Sequence, residues 1–189
     1  MKAMMRLIVG MSGASGAIYG IRALEVLRGV KDVETHLVLS PSAKRTIVEE
    51  TSWTAARVEA LADVVHPHRD IGAAIASGSF RTAGMLIAPC SVKTLSGIAA
   101  SYADNLLTRA ADVCLKERRP LVLCFREAPL SLVHLRNLTA VTEAGATVIP
   151  AAPGFYHQPK TVQELVDFVV QRIVDHMGLD ISLAPRWKG

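Results

Sequence analysis

Short apolar runs rich in Val, Ile and Leu alternate along this chain with longer amphipathic segments, and this alternation limits the possible folds more than any other feature. The apolar runs are predicted to be strands, at residues 6–11, 34–40, 62–66, 84–89, 120–125 and 146–150. Most are apolar on both faces, as strands buried between two helical layers must be. Repeated βαβ units predict an α/β fold: a doubly wound, Rossmann-like (flavodoxin-like) parallel sheet in a three-layer sandwich.

Between these runs, apolar residues return every three or four positions, which predicts helices over residues 18–27, 42–51, 92–117 and 132–144. A last helix is predicted from Thr161, with Glu164 completing a capping box, to Met177, before Gly178 ends it. The chain of 189 residues shows no linker, repeat or low-complexity tract, and it suffices for one core. Residues 1–189 are therefore expected to form a single domain with a C-terminal helix and tail.

Composition and charge argue against several function classes. No apolar run reaches the roughly 18–20 uncharged residues of a membrane span, and the first residues are typical of a strand and glycine turn, not of a signal peptide. The formal net charge is +4, but basic residues are interspersed with acidic ones, which favours an anionic small molecule over nucleic acid. Half of the residues are apolar, so we expect part of the surface to be buried between subunits.

The cysteines and histidines give no strong metal or disulfide signal. Cys90, Cys114 and Cys124 are an odd number without CxxC spacing, which fits a reducing cytoplasm. Cys90 is expected to be buried and unreactive, because no His is near it in sequence. His66 and His68, with Asp70, would supply at most part of a metal site, so no metal is predicted.

Four loops that follow predicted strands are small, polar or charged. Ligands of an open α/β sheet bind outside the carboxyl ends of its strands, so these loops are expected to form the site. The first, at residues 10–16, brings glycines, the Ser15 hydroxyl and the N–H groups of a helix start, which suit a phosphate. Its spacing is not GxGxxG, and tight packing explains such a turn equally well.

The second and third loops carry hydroxyls at predicted helix starts. Ser40 before Pro41 is typical of an N-cap residue followed by the first residue of a helix. The segment CSVKT at residues 90–94 has two hydroxyls and Lys93, which suit a phosphate or the polar edge of a heterocycle, although a capped helix alone also accounts for it.

The fourth loop carries charge directly after a buried strand. Arg126 and Glu127 lie where desolvation and neighbouring charge can adapt a carboxyl group to acid–base chemistry, or where an ordinary ion pair forms at the sheet rim. Near the C-terminus, Tyr156 with Arg172 and Arg186 offers an aromatic wall and cations for a second ligand, while Phe155 is expected to pack in the core. These residues indicate a phosphate-bearing planar cofactor, a small anion and a carboxyl group for proton transfer.

Together these motifs resemble one family, the UbiX-type flavin prenyltransferases. The resemblance rests on GASGAIYG, PCSVKTLSGIA, NLLTRAADVCLKERRPLVL, REAPLS, HLRN, PAAPGFYHQP and a terminal PRW, which occur in order over residues 6–187. It implies a dodecameric, metal-independent, cytoplasmic enzyme that joins a dimethylallyl group to N5 and C6 of FMN. The prenylated FMN would pass to a UbiD-type decarboxylase, often within ubiquinone biosynthesis.

The resemblance also implies roles for individual residues. FMN would be bound by Gly13, Ala14, Ser15, Ser40, Ser91, Val92, Lys93, Thr94 and Arg126. Dimethylallyl phosphate, as monophosphate or diphosphate, would be held by Arg109, Lys116, Arg126, Tyr156 and Arg172, with Arg109 and Glu50 reaching the pocket from a neighbouring subunit or the rim. Catalysis would depend on Ser15, Glu50, Lys116 and Glu127, with Glu127 as the main proton carrier.

Two alternatives remain at the level of sequence. One is a flavin-dependent cysteine decarboxylase of the same superfamily, but such enzymes carry a PxMNxxMW-type segment and a catalytic His that we do not find here. The other is a non-catalytic FMN-binding subunit that keeps the pocket without its acid–base groups. The joint presence of Lys116, Glu127, Tyr156 and Arg172 argues against it.

Overall fold

All six predicted strands are present in the computed structural model, which describes residues 4–187, and all are parallel in one sheet. They are β1 (Met5–Met11), β2 (Val33–Leu39), β3 (Val64–His66), β4 (Gly84–Cys90), β5 (Leu121–Phe125) and β6 (Thr147–Pro150). Their order across the sheet is β3-β2-β1-β4-β5-β6. This is the order of Rossmann domains, and it confirms the predicted α/β fold class.

Residues 4–187 contain seven α-helices, of which six lie between strands and one follows the last strand. They are α1 (Ala17–Arg28), α2 (Pro41–Glu50), α3 (Ala55–Glu59), α4 (Val92–Ala99), α5 (Leu106–Lys116), α6 (Leu132–Glu143) and α7 (Val162–Asp175), with a 3-10 turn at Ala74–Ala76. The short helix α3 and the 3-10 turn were not predicted. No helix in the described residues is long and apolar enough to cross a bilayer.

The single helix predicted over residues 92–117 is wrong, because the chain forms two helices there. Ser101 adopts a left-handed φ of 51° after α4, which ends the helix. Asn105 then begins α5 by accepting a hydrogen bond from the Thr108 N–H at 3.1 Å. The break leaves residues 100–105 as a loop beside the carboxyl ends of the strands.

Two apolar clusters fill the space on the two faces of the sheet. On one face, α1, α2 and α7 pack against strand residues such as Leu7, Val9 and Leu86. On the other, α4, α5 and α6 pack against Ile8, Met85 and Leu123. The central strand β4 is buried along its whole length, whereas the edge strands β3 and β6 are only partly buried. The three layers agree with the predicted sandwich.

Near the C-terminus two local predictions need correction. The Thr161 hydroxyl accepts from the Glu164 N–H at 3.2 Å, but the Glu164 carboxylate accepts from the Lys160 N–H at 2.7 Å, so only half of the predicted capping box forms. Phe155 is 66% exposed and is not in the core. Its neighbours Tyr156 and His157 pack against Phe168 instead.

Candidate active site

A cavity of about 580 Å³ lies at the carboxyl ends of the central strands. It is at the switch point between β1 and β4, where the strand order reverses and where ligands of doubly wound sheets bind. Ten residues that the sequence analysis singled out line it: Gly13, Ala14, Ser15, Ser40, Ser91, Val92, Lys93, Thr94, Arg126 and Glu127. The separate loops therefore converge on one site, as expected.

Five lining residues were not singled out as site residues: Ser12, Pro41, Ser42, His68 and Asn105. Ser12 belongs to the same small-residue turn as Ser15, and Asn105 is a helix N-cap, so both carried a local signal. His68 was considered only as a metal ligand. The sequence gives no sign that His68 lies in the cavity wall, because its place there depends on tertiary contacts. One of these is the hydrogen bond that the His68 carbonyl accepts from the Leu106 N–H at 2.9 Å.

Buried Ser12 ties together the loops that follow β1 and β4. Its hydroxyl donates to the Pro89 carbonyl at 3.0 Å and accepts from the Ser91 N–H at 2.8 Å. The Ser12 N–H also donates to the Pro89 carbonyl, at 3.1 Å. These bonds fix the backbone of two cavity walls relative to each other.

Close approach between the first two loops explains Gly13. A Cβ at position 13 would collide with the Cβ of Ser42, at the start of α2. Gly16, which precedes α1, has a left-handed φ of 100°, a conformation that side chains disfavour. The glycines of the first loop are therefore required by its geometry, as well as by any ligand.

Four helices begin at this cavity, and three of them have a side-chain cap there. Ser40 accepts from the Ala43 N–H at 3.0 Å, which confirms the predicted N-cap of α2. Ser91 accepts from the Thr94 N–H at 3.4 Å at α4, and Asn105 caps α5. Converging helix N-termini give a site positive potential, which favours an anionic ligand.

The N-terminus of α1 differs, because a carboxylate from another helix already occupies it. Glu50 Oε2, at the end of α2, accepts from the Gly16 N–H at 2.7 Å and the Ala17 N–H at 3.2 Å. Partial burial acts to raise the pKa of Glu50, but the Ser15 hydroxyl, these two N–H groups and the Arg126 charge outweigh it, and the pKa is lowered. Glu50 is thus not part of the cavity lining, but it contacts Ser15, which is.

Arg126 and Glu127 line the cavity without pairing with each other. Among the described residues, the Arg126 guanidinium has no hydrogen-bond or ion-pair partner, and the Glu127 carboxylate accepts only from the Ala128 N–H, at 2.9 Å. The simple ion-pair interpretation is therefore not what the structure shows. Both groups face a ligand-sized space with their charges available.

Lys93 and His68 also line the cavity, near each other. The Lys93 ammonium pairs with Asp104 at 3.2 Å. Burial lowers the pKa of His68, helped by the charges of Lys93 and Arg69 and opposed by Asp104. A neutral imidazole is therefore favoured at this wall near pH 7.

The comparisons with known proteins decide the family. The family model described as Flavoprotein matches residues 1–174. Flavin prenyltransferase UbiX of Escherichia coli (strain K12) is 57% identical over 188 residues, which cover 98% of this chain and 100% of the relative. The chain belongs to the UbiX family of flavin prenyltransferases.

Two solved UbiX structures have nearly the same backbone. A dodecameric FMN-dependent UbiX-like decarboxylase from Escherichia coli O157:H7 is 53% identical, with a TM-score of 0.96, and the match covers 98% of this chain and all of that one. AnUbiX in complex with FMN and dimethylallyl pyrophosphate is 48% identical, also with a TM-score of 0.96, and covers 98% of each chain. These similarities favour the prenyltransferase family over the two alternatives raised from the sequence.

Four residues predicted from the UbiX resemblance lie outside the cavity in a single chain. Lys116, at the far end of α5, is about 16 Å along the helix axis from the cavity end and pairs with Glu117 at 2.7 Å. Arg109, on the same helix, donates to the Ala76 carbonyl and pairs with Asp112 at 3.0 Å. Tyr156 and Arg172 line a second cavity, of about 490 Å³, formed by α7 and the C-terminal tail.

The three cysteines are buried within the fold, and His66 pairs with His36. All three cysteines are free and buried, and burial raises the pKa of each thiol, to about 12 for Cys114 and Cys124. His66 contacts His36, with 2.9 Å between Nε2 and Nδ1. Within residues 4–187, no group of three or more His, Cys, Asp or Glu side chains is arranged to hold a metal ion.

Proposed function

We propose that this chain transfers a dimethylallyl group from dimethylallyl phosphate to N5 and C6 of reduced FMN and releases prenylated FMN. The observation that carries the proposal is the convergence of the first loop, the CSVKT loop, Arg126 and Glu127 on one cavity. Membership of the UbiX family supports the same reaction, since its relatives are flavin prenyltransferases and one was solved with FMN and dimethylallyl pyrophosphate.

The cavity suits FMN in size and in chemistry. About 580 Å³ is within the range of small-molecule sites, and the converging helix N-termini favour a phosphate. Small side chains at Gly13, Ala14 and Ser15 leave backbone groups accessible to a planar ring. Ser40, the loop from Ser91 to Thr94, and Arg126 would supply the remaining polar contacts. Reduced FMN supplies the nucleophilic atoms that form the new bonds to carbon.

Cations would hold the donor phosphate as its allylic C–O bond breaks. The phosphate leaves with the bonding electron pair, so negative charge grows on its oxygens, and fixed cations stabilise that charge. Arg126 is available for this role in the first cavity. Arg109, Lys116, Tyr156 and Arg172 are proposed to complete the site from neighbouring subunits. The Tyr156 ring would face the positive charge that develops on the allyl group.

Carboxyl groups at the rim would move protons. Within residues 4–187, the Glu127 carboxylate accepts one hydrogen bond, from the Ala128 N–H. It would therefore be available to accept a proton from N5 or C6 and to donate one to the departing phosphate. Glu50 is held against Ser15 and the start of α1. We assign Glu50 and Ser15 to keeping the first loop in place and to relaying protons at that side.

A homododecamer would bring the separate parts together. One relative was solved as a dodecamer, and large apolar side chains are exposed on this chain near the strand ends and on α6. They include Leu132, Val133 and Phe155, each more than half exposed. Burying such side chains between subunits would be favourable, and it would exclude water from the reacting groups. Native mass spectrometry is expected to show this assembly.

The product would serve a UbiD-type decarboxylase. Prenylated FMN made by this chain is expected to activate such an enzyme prepared without its cofactor, which a coupled decarboxylation assay measures. The three free, buried cysteines support a reducing compartment such as the cytoplasm.

Anaerobic incubation with reduced FMN and dimethylallyl monophosphate tests the proposal. A flavin product heavier by one five-carbon unit is expected by mass spectrometry, also in the presence of EDTA. The diphosphate is assayed in parallel to find the preferred donor. Absence of the adduct with both donors, in protein that binds FMN, would overturn the proposed reaction.

Glu127→Gln gives the matched control for this assay. The amide keeps the size of the side chain but cannot carry a proton, so FMN affinity should be unchanged and adduct formation should slow by about 100-fold or more. Wild-type turnover in Glu127→Gln would remove Glu127 from the mechanism while leaving the reaction itself in place.

A further inference from the structure

The C-terminal tail, residues 179–187, folds back along α7 and forms one wall of the second cavity. Trp187, near its end, packs edge to face on Tyr156, with ring centroids 5.3 Å apart. The Trp187 side chain is 70% exposed, so this contact alone does not fix it. Something else in the chain must hold the tail against the helix.

The Asp175 carboxylate is the main anchor of this tail. Its two oxygens accept from Arg186 at 2.7 Å and 3.0 Å, a bidentate pair between the tail and the end of α7. The Asp175 side chain is only 16% exposed. Burial acts to raise its pKa, but Arg186, Gln171 and Arg172 outweigh it and lower the pKa. The anchor is therefore ionised at neutral pH.

Gln171 supports Asp175 from one helical turn earlier. Its buried amide donates to Asp175 Oδ1 and to the Ile181 carbonyl, both at 2.8 Å, and accepts from the Leu183 N–H at 2.6 Å. The bonds to Ile181 and Leu183 attach the tail to the side of α7. Together, Gln171 and Asp175 connect three points of the tail to two successive turns of the helix.

Asp175 also orients Arg172, one of the two arginines that line the second cavity. Arg172 donates only through Nη1, to Asp175 Oδ2 at 3.3 Å. Among the described residues its Nε and Nη2 groups have no protein acceptor. One edge of the guanidinium is therefore held by the protein, and the other is available for an anion.

We propose that Asp175 is a positioning residue for the donor phosphate: it fixes Arg172 and, through Arg186, the tail that carries Trp187 against Tyr156. This inference rests on the proposed function, in which Tyr156 and Arg172 bind dimethylallyl phosphate. One carboxylate thus sets the position of both Arg172 and the aromatic wall of the donor subsite. Asp175 itself does not touch the flavin cavity.

Asp175→Asn tests the proposal in full-length protein that also carries Trp53→Phe, so that Trp187 is the only tryptophan. Asparagine keeps the shape but cannot hold two arginines, so the tail should loosen. We expect lower fluorescence anisotropy of Trp187, a KM for dimethylallyl monophosphate raised about tenfold, and a kcat and FMN affinity within about twofold of the parent, the pattern of lost uniform binding.

Asp167→Asn is the matched control. Asp167 lies on the same helix, is 15% exposed and pairs with Arg22 on α1 at 2.6 Å, away from the tail. The Asp167→Asn substitution should lower stability about as much as Asp175→Asn does, but it should leave the Trp187 anisotropy and the KM for dimethylallyl monophosphate unchanged. Equal effects of Asp167→Asn and Asp175→Asn on these two quantities would overturn the proposal, because they would reflect stability alone.

An unchanged KM for dimethylallyl monophosphate in Asp175→Asn would also overturn the proposal. A lowered KM would overturn it too, because Asp175 would then compete with the substrate for Arg172. Arg186→Ala, a change at a half-exposed side chain, provides the same test if Asp175→Asn does not fold, with the same expected loss of anisotropy and rise in KM. Absence of any prenylated product from the parent protein would instead refute the proposed function, while Trp187 anisotropy would still report on the anchor.

Discussion

Glu50 lies at the N-terminus of α1, where the sequence predicted that the N–H groups of the helix start bind a phosphate. Its carboxylate already accepts from Gly16 and Ala17, so it acts as a cap supplied by another helix. A phosphate in this cavity is therefore better placed at the starts of α2 and α4, whose caps leave other N–H groups free. At the start of α1, the Glu50 carboxylate thus occupies the N–H groups that a phosphate would otherwise bind.

The lowered pKa of Glu50 makes its contribution to stability pH-dependent. A carboxyl group whose pKa is lowered on folding stabilises the protein above its unfolded pKa, and the stabilisation is lost as pH falls through the folded pKa. Glu50→Gln should therefore destabilise by about 0.5–1 kcal/mol above the unfolded pKa of about 4.3, and the difference should disappear as pH falls through the lowered pKa of the folded state.

Chemical denaturation at several pH values and one fixed protein concentration measures this difference. Glu49→Gln is the control, because Glu49 pairs only with Arg45 on an exposed face. A difference between wild type and Glu50→Gln that stays constant with pH would contradict the role given to the Glu50 carboxylate.

Residue-level prediction succeeded where the signal was local. Ser40 before Pro41 has the sequence of a capped helix start, and it forms one. The Glu50 contact could not be predicted in this way, because it joins groups 34 residues apart and requires α2 to lie beside α1. The same applies to Ser12, whose hydroxyl bridges loops 77 residues apart.

At the scale of elements, the interruption between α4 and α5 has a direct effect on the site. A continuous helix over residues 92–117 would carry the chain past the cavity. The break instead places the Asn105 side chain in the cavity wall and starts a new helix there. The apolar periodicity predicted the helices but not the break, because Leu95, Ile98, Leu106 and Ala110 all pack on the same face of the sheet.

Asn105→Ala should remove the cap of α5. The buried Thr108 N–H loses its acceptor, so the free energy of unfolding should fall by about 1–2 kcal/mol and Tm by about 2–8 °C. Asn105→Ser restores an N-cap acceptor and should recover most of the loss. Calorimetry on both variants measures it, and equal losses in alanine and serine would show that capping is not the cause.

Strand prediction was accurate for a physical reason. The four central strands are buried on both faces, so they read as continuous apolar runs in the sequence. The predictions were longer than the strands at the edges, where β3 covers only Val64–His66 and is partly exposed. Edge strands have fewer neighbours, so their ends depend on pairing that the sequence does not show.

At the scale of the whole molecule, the proposed site is divided between two cavities. The flavin cavity holds Ser15, Arg126 and Glu127, whereas Tyr156 and Arg172 line the cavity under the tail, and the two linings share no residue. Because a helix that follows a strand begins at the carboxyl edge of the sheet, Lys116, the last residue of α5, lies at the end of the helix away from the flavin cavity. Residues that one chain keeps apart can meet only if another copy contributes them.

Co-expression of two inactive variants tests this division. Glu127→Gln removes the proton carrier at the flavin cavity, and Arg172→Ala removes a cation at the donor cavity, so each homo-oligomer should be nearly inactive. If each site combines residues of two chains, random mixing at equal amounts should leave about a quarter of the sites intact and restore about a quarter of the activity. No recovery in mixed oligomers would mean that both residues act within one chain.

A crystal structure with FMN and dimethylallyl monophosphate would show whether one site brings the flavin and the donor together. We expect the isoalloxazine in the cavity between β1 and β4, in contact with Ser15, Arg126 and Glu127, with Tyr156 and Arg172 of a neighbouring subunit on the donor phosphate. A flavin bound away from those three residues, or a donor phosphate that no arginine or lysine contacts, would contradict it.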